Sequence, residues 1–405
     1  MDSTAAPLPS DLEAALRPAW VDVDLEALDR NVALMKARMG EGTRTMAVVK
    51  ADGYGHGAVG VSRALAAAGV DWLGVALLEE GAEIRRAGIE MPILVLGTAR
   101  PAKIALYRRY RLVPTVSSLA ELALWRDWTS GHARAQPVHL KVNTGMGRLG
   151  VAMGEVPRAL EILRGTPTLG FAGLLSHFGD ADDLASPRND LQAERFAEVL
   201  ALLTEEERDR IEIHMANSAA TLYRPQSRFT LVRLGIGIYG IDPAERPGEP
   251  PSQEAGGLRP VMSVRASIVQ LREVPAGTPL SYGGKTVTRR HSRIAVVPVG
   301  YADGYAWRLT GKAEALVRGR RVPVAGSVTM DMTLLDVTET GAELGDEVVL
   351  LGRQGKEEIP ALELATHAGT ISWEILCHLG LRLPRRYVRG GRIEELVTRF
   401  SREDS

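Results

Sequence analysis

From about residue 20 to residue 240, short apolar, β-branched runs alternate along the chain with stretches of helical period. The runs Thr45–Lys50, Trp72–Ala76, Ile93–Gly97, Leu112–Val116, Val138–Val142, Phe171–Ser176, Ile211–Met215 and Leu231–Ile238 are predicted as strands. Ala58–Ala68, Glu79–Ala87, Ser118–Trp125, Val156–Arg164 and Leu191–Leu203 are among the predicted helices between them. Eight strand–helix units in a stretch of this length predict a closed parallel (β/α)8 TIM barrel, with an open doubly wound sheet as the competing arrangement.

The pattern changes at Asp242. The stretch Asp242 to Pro260, DPAERPGEPPSQEAGGLRP, is too rich in Pro, Gly and charge to continue either element and predicts a linker. Beyond it come short β-rich runs at close spacing: Met262–Arg272, Arg293–Val299, Glu314–Val317, Met332–Val337 and Glu347–Leu351, with helical segments near Pro360–Leu379. The expected organisation is an α/β chain with the barrel over 18–241, a linker over 242–259 and a mostly-β C-terminal domain over 260–390.

Composition narrows the function more by exclusion. The 49 Lys+Arg against 50 Asp+Glu of this 405-residue chain give a net charge of −1, without the basic excess that nucleic acid or an anionic membrane would require. No run of eighteen apolar residues occurs, and Met1 to Ala19 shows no basic start followed by an apolar stretch. The single cysteine, Cys377, excludes an internal disulfide and fits a reducing compartment. Lying in an apolar run, it reads as a small buried hydrophobe. A soluble, cytoplasmic protein is expected. Only seven of the 49 cations are lysines, so a lysine in an apolar strand stands out.

Two lysines do so. Lys50 ends the first predicted strand and runs into the Gly-rich ADGYGHG; function in such barrels sits on the loops after the strands. An amine there could form a Schiff base, with Tyr54 close to a ligand, or could simply snorkel at the rim. Lys141, in VHLKV, alternates with Leu140 and Val142, so one side of that strand fills the barrel interior. A free ammonium inside would be costly and must be paired, neutralised or modified. Arg148 lies across the loop NTGMGRLG, and two cations there call for an anion between them. Asn217-Ser218 after the seventh strand and Gly235-Ile236-Gly237 after the eighth are a candidate phosphate site or, alternatively, plain turns. His177 and His214 end the sixth and seventh strands beside Arg233, as structural residues or as a hydrogen-bond network. Asp180, Asp182 and Asp183 could suggest a metal, but without HExxH-like spacing or paired cysteines no metal is expected.

Taken together, these segments resemble alanine racemase, the barrel-type pyridoxal 5'-phosphate (PLP) enzyme family. AVVKADGYGHG is similar to the family's cofactor-lysine segment, and KVNTGMGRLG, SHF, HMANSAA, VRLGIGIYG, LSYGG, VGYADGY, TMD and ISWEILCHLGLRLPRRY match further segments in the same order, over about residues 18 to 390. The resemblance implies an isomerase that interconverts L- and D-alanine, supplying D-alanine for peptidoglycan. It also implies a homodimer whose active sites are shared between subunits. By the same resemblance Lys50 would carry PLP as a Schiff base and remove the α-proton of the D-enantiomer, and Tyr282 of the partner subunit would serve the L-enantiomer. Tyr54, Asn217, Ser218, Gly235 and Ile236 would hold the phosphate. Arg233 would face the pyridine nitrogen with His214 behind it, and His177 would orient Tyr282. Arg148 would reach the ring hydroxyl and the substrate carboxylate, held by Lys141, which is often carbamylated in the family. Tyr301 and the Met330 backbone would contact the substrate, with Asp331 close by.

Two positions depart from the family pattern. Asn143 stands where the family usually has Asp, removing one negative charge near the barrel mouth. Trp373 stands where a tyrosine usually borders phosphate and substrate; indole donates one hydrogen bond and accepts none. It either packs the pocket wall or alters the substrate range. A racemase for serine or for several amino acids is therefore the rival reading. A PLP decarboxylase would meet the pyridine nitrogen with an acidic residue, against Arg233, and a non-catalytic PLP-binding barrel would not need the second domain.

Overall fold

The computed structural model describes residues 17–99, 103–131, 134–250 and 252–398. The stretch in which no targeting signal is recognised lies, through residue 16, outside the described residues. Strand β1 (Ala19–Asp24) leads into the helix Leu25–Met39, and Asp24 caps that helix by accepting the Ala27 N–H at 2.9 Å. Then come β2 (Arg44–Val48), β3 (Trp72–Val75), β4 (Ile93–Val95), β5 (Leu112–Val116), β6 (Gln136–Lys141), β7 (Leu169–Leu175), β8 (Glu212–His214) and β9 (Leu231–Leu234). These eight pair in parallel in the order β8-β7-β6-β5-β4-β3-β2-β9. The seam between β8 and β9 has no regular ladder. It is joined by the Arg233 N–H donating to the Ala216 carbonyl at 3.0 Å and the Ile213 N–H to Thr230 Oγ1 at 2.7 Å. The sheet is thus a nearly closed barrel, and the alternation of strands and helices read from the sequence is its βα repeat.

Several predicted strands end early, and in the first and the last of the barrel this places site residues beyond the strand. The first stops at Val48, so Lys50 lies beyond it, because residues 51–55 turn left-handed. The last stops at Leu234, where Gly235 leaves the extended conformation and Ile236–Tyr239 forms a 3-10 turn.

The C-terminal half builds β10 (Met262–Ser267), β11 (Gln270–Val274), the two-residue strands β12 (Pro279–Leu280) and β13 (Thr286–Val287), β14 (Ser292–Val297), β15 (Glu314–Val317), β16 (Arg320–Pro323), β17 (Thr333–Asp336), β18 (Glu347–Gln354), β19 (Glu357–Ile359), β20 (Arg385–Arg389) and β21 (Arg392–Val397). The main sheet runs β16-β15-β18-β10-β1-β20-β21. β1 therefore sits inside this sheet, antiparallel to β10 and parallel to β20, rather than in the barrel. The alternation AWVDVD, with Ala19, Val21 and Val23 buried, is its sequence signature. Helices Ala361–Ala368 and Ser372–His378 follow β19. Among the described residues no helix is long and apolar enough to cross a membrane.

The two halves meet at the loop after β2. Tyr387 on β20 donates to the carbonyls of His56 (3.1 Å) and Gly57 (3.3 Å), and Arg385 donates to that of Gly55 (2.9 Å). A Cβ on Gly60 would fall inside the Tyr387 ring. Gly60→Ala should therefore destabilise the protein by about 1–3 kcal/mol through overpacking. The same change made on a Tyr387→Ala background should cost clearly less. Urea unfolding of the four proteins measures this; an equal cost in both backgrounds would show that the contact is not what excludes a side chain.

Candidate active site

Lys50 opens a short segment in which Ala51 (φ 53°, ψ 51°), Asp52 (φ 54°, ψ 47°), Gly53 and Tyr54 (φ 53°) are all left-handed. Non-glycine residues held in such conformations cost on the order of 1–3 kcal/mol each and persist only where their surroundings over-determine them. Here Glu80 accepts the Ala51 N–H at 2.8 Å, the Asp52 carboxylate accepts the Ala58 N–H at 2.9 Å, and the Asp52 carbonyl accepts the Gly57 N–H at 2.8 Å. The Lys50 amine is held below its ordinary pKa, first by burial and then by the Arg148 charge, with Arg233 adding to the effect.

Leu140 on β6 and Val142 just after it are buried in the main apolar core, which places His139 and Lys141 together on the opposite, inner side. Lys141 is 7% exposed, and burial followed by the charges of Arg233, Arg148 and Lys50 lowers its pKa to about 8. Among the described residues no carboxylate is ion-paired with Lys50, Lys141, Arg148 or Arg233. In the loop beyond, Asn143 Oδ1 accepts the N–H groups of Gly145 (3.1 Å) and Gly147 (3.0 Å). A carboxylate oxygen could accept the same pair, so the Asn that departs from the family pattern keeps the loop organised while leaving the mouth more positive.

Arg233 on β9 is 4% exposed and spends its donors across the seam. It reaches the carbonyls of Ser176 (2.7 Å), His214 (3.0 Å) and Met215 (3.0 Å), together with His177 Nδ1 (2.9 Å) and His214 Nδ1 (2.9 Å). Burial lowers its pKa to about 10. Burial and then Arg233 hold both His177 and His214 well below the ordinary histidine value, so both rings are neutral. His139, which sequence reasoning passed over, joins His214 through a 2.9 Å contact between Nδ1 and His214 Nε2. Its position two residues before Lys141 was the available signal. Gln192 is a second omission. Its amide donates to the His177 carbonyl at 2.9 Å and to Thr144 Oγ1 at 3.3 Å, and its oxygen accepts the Gly179 N–H at 2.8 Å.

Tyr54, Ser218 and Gly235 converge beside this cluster. A Cβ on Gly235 would lie 2.8 Å from Tyr54 Oη and 3.8 Å from Ser218 Oγ, and Ser218 Oγ accepts the Gly235 N–H at 2.8 Å. Asn217 caps the turn that starts at Ser218, accepting the Ala220 N–H at 2.9 Å, and Ile236 follows directly on Gly235. A small anion fits such a set of hydroxyl and backbone donors. Trp373 is half-buried on helix Ser372–His378, one turn before Cys377. Cys377 is half-buried as well, not enclosed in a core, and lies within electrostatic reach of Lys50. A Cβ on Gly55 would run into the Leu376 carbonyl of that helix.

The remaining sequence-predicted residues stand apart, on the C-terminal half. Tyr282 is 79% exposed in a tight turn, and its side chain has no hydrogen bond among the described residues. Tyr301 and Met330 are exposed neighbours: the Tyr301 N–H donates to Thr329 at 2.9 Å and the Ala302 N–H to Met330 at 3.0 Å. Asp331 pairs with Arg382 at 2.6 Å. Of the aspartates near His177, Asp180 is engaged by Arg188 and Ser186, and Asp182 lies 4.0 Å from Arg246.

The arrangement gathers amines, guanidinium groups and neutral imidazoles at the C-terminal ends of the barrel strands, suited to holding an anionic ligand and moving protons. Comparison with known proteins points the same way. Residues 23–243 match the family profile described as "Alanine racemase, N-terminal domain", and residues 261–387 match "Alanine racemase, C-terminal domain". An alanine racemase from Synechocystis is 41% identical over 369 residues, covering 91% of this chain and 98% of the relative. The crystal structure of alanine racemase from Bacillus anthracis with bound L-Ala-P superposes with a TM-score of 0.86 at 35% identity, covering 95% of this chain and 99% of that one. The Bartonella henselae alanine racemase, solved with covalently bound pyridoxal phosphate, superposes with a TM-score of 0.81 at 29% identity, over 92% of this chain and 99% of that one. With both halves matched, in order and over nearly their whole length, this chain belongs to the alanine racemase family.

Proposed function

We propose that this chain is a PLP-dependent alanine racemase, interconverting L- and D-alanine as a cytoplasmic homodimer and supplying D-alanine for peptidoglycan. The observation that carries the reading is the collection of four cations, Lys50, Lys141, Arg148 and Arg233, each depressing another's charge or a neighbour's, with no carboxylate among the described residues paired to any of them. Such a site is incomplete without an anion, and a phosphorylated cofactor together with an amino-acid carboxylate supplies two.

The residues present fit the cofactor. Lys50 would hold it through its amine; Tyr54, Asn217, Ser218, Gly235 and Ile236 would surround its phosphate; Trp373 would border it. Arg233, with His214 behind it, would face the ring nitrogen, and Arg148 would reach the ring hydroxyl and the substrate carboxylate. When bound, the cofactor withdraws electrons from the substrate α-carbon, which weakens the bond to its proton. The lowered pKa of Lys50 keeps more of its amine free to take or return that proton on one face. Tyr282 of the partner subunit serves the other face, where His177 orients it; the exposure of Tyr282, Tyr301 and Met330 on this chain supports that exchange. Arg233 keeps its own proton, so against the ring nitrogen it would leave that nitrogen unprotonated, which would restrain side reactions. Tyr301 and the Met330 backbone contact the substrate, with Asp331 nearby.

Purified protein should be yellow and convert L-alanine to D-alanine, and Lys50→Ala should be colourless and inactive. Tyr282→Phe should slow α-proton exchange from L-alanine at least about tenfold more than from D-alanine, roughly 1.4 kcal/mol of selective barrier. Equal losses would dismiss the two-base assignment. A non-catalytic cofactor-binding protein would be yellow without turnover.

A neutral amine is the form that takes up CO2, and Lys141, with a pKa near 8, presents it close to neutral pH. The resulting carbamate would be an anion beside Arg148. Growth on 13C-bicarbonate should give a carbamate carbon signal that Lys141→Met removes; a wild-type spectrum without it would leave Lys141 a free amine.

Trp373 favours one rival reading, a racemase for serine or for several amino acids. Its indole N–H has no acceptor among the described residues, and the helix that carries it packs on the loop of Lys50. If it lines the substrate pocket, Trp373→Tyr should shift the ratio of alanine to serine turnover several-fold; an unchanged ratio assigns it to packing.

A further inference from the structure

We propose that His139 is a positioning residue for Arg233, acting by locking the tautomer of the histidine between them. A guanidinium can only donate hydrogen bonds. Arg233 Nη1 lies 2.9 Å from His214 Nδ1, so that nitrogen must present its lone pair. A neutral imidazole carries one proton, which places the His214 proton on Nε2. His214 Nε2 is 2.9 Å from His139 Nδ1, which must in turn accept. The His139 proton then sits on its own Nε2. One permanent donor thus dictates the proton positions of two successive rings, and the same logic gives His177 an Nε2–H, because its Nδ1 faces Arg233 Nη2 at 2.9 Å.

Arg233 sets which nitrogen of His214 accepts, and His139 secures that choice from the other side of the ring. Without an acceptor at its Nδ1, His214 would bury an unpaired Nε2–H. Moving that proton to Nδ1 would turn a donor against the guanidinium and free it to swing. The fold makes room for the acceptor. His139 is wholly buried, and it lies beside Gly173 on β7, where a Cβ would overlap the imidazole ring. Trp72 closes another side, its ring centroid 5.4 Å away. Among the described residues His139 Nε2 has no acceptor, and Thr115, its register partner on β5, has an equally unpaired buried hydroxyl. The consequence for the reaction rests on the reading that Arg233 faces the cofactor's ring nitrogen: a guanidinium pinned by two imidazoles stays at one height and angle to the ring, and His139 holds the more deeply buried pin.

The test uses the full-length holoenzyme labelled with 15N-histidine; the chain has eight histidines. In the wild type, His214 should show a bare Nδ1 and a protonated Nε2 as a single tautomer. In His139→Leu it should show exchange between tautomers, with kcat reduced roughly tenfold and KM within about twofold of wild type. His139→Asn, whose amide oxygen can occupy the place of Nδ1, should restore the single tautomer and most of kcat. The proposal fails if wild-type His214 carries its proton on Nδ1, a result that needs no variant to fold. It also fails if His139→Leu leaves the tautomer unchanged, or if His139→Asn behaves like His139→Leu. If instead the His214 pattern is as described but the wild type does not racemise alanine, the tautomer lock stands and the functional reading is what falls.

Discussion

The rest of the structure depends on a buried cation that no carboxylate among the described residues pairs. Arg233 is compensated by carbonyl dipoles and imidazole lone pairs, and each charge-assisted hydrogen bond of that kind contributes about 1.5–3 kcal/mol. Removing the side chain would leave three carbonyls and two ring nitrogens without their donor. Those carbonyls belong to Ser176, His214 and Met215, which follow or end β7 and β8, whereas Arg233 itself is on β9. The same side chain therefore clasps the one seam of the barrel that lacks a regular ladder and presents a positive charge at its mouth. Closure of the fold and the electrostatics of the site meet in this one side chain, so a substitution of Arg233 alters both.

A consequence reaches the lysines. With Arg233 and Arg148 already in place, an ammonium at position 50 or 141 is destabilised twice, by desolvation and by like charge. A guanidinium would remain charged under that pressure, whereas an amine can respond by losing its proton. The scarcity of lysine in a chain rich in arginine thus gains a physical meaning at two of its seven positions. An anionic ligand relieves the same repulsion, so binding and stability are coupled: whatever neutralises the mouth also stabilises the barrel that forms it.

The eight barrel strands were readable because each is a short β-branched run flanked by helical periodicity. β1 was not, because Ala19–Asp24 precedes the barrel and pairs with strands more than two hundred residues away. Lys50 could be singled out by its place after an apolar run, but not the left-handed path of Ala51, Asp52 and Tyr54. That path is imposed by Glu80, Arg385 and Tyr387 from remote parts of the chain. His139 was open to inference from the two-residue period that marked Lys141. Its role, however, depends on the missing side chain at Gly173 and on the ring of His214, and both are facts of packing. Asn143 looked like the loss of a charge and proves to be the acceptor that organises its loop.

The second half of the chain is also bound to the first by the strain next to Lys50. A left-handed turn through non-glycine residues would unwind if left to itself, moving the amine away from the cluster around Arg233. The barrel supplies Glu80 and the Ala58 N–H as restraints from one side. From the other side, Arg385 holds the Gly55 carbonyl, and Tyr387 holds those of His56 and Gly57. Both residues lie on β20, which is kept in place by its neighbour β1, and β1 runs directly into the first helix of the barrel half. The N-terminal strand thus acts as a tie: it leaves the barrel, completes the sheet of the C-terminal half, and through β20 returns the restraint to the loop of Lys50. A barrel of this sequence cut free of its β domain would lose the element that fixes where the Lys50 amine stands, together with its share of the one apolar core that runs through both halves.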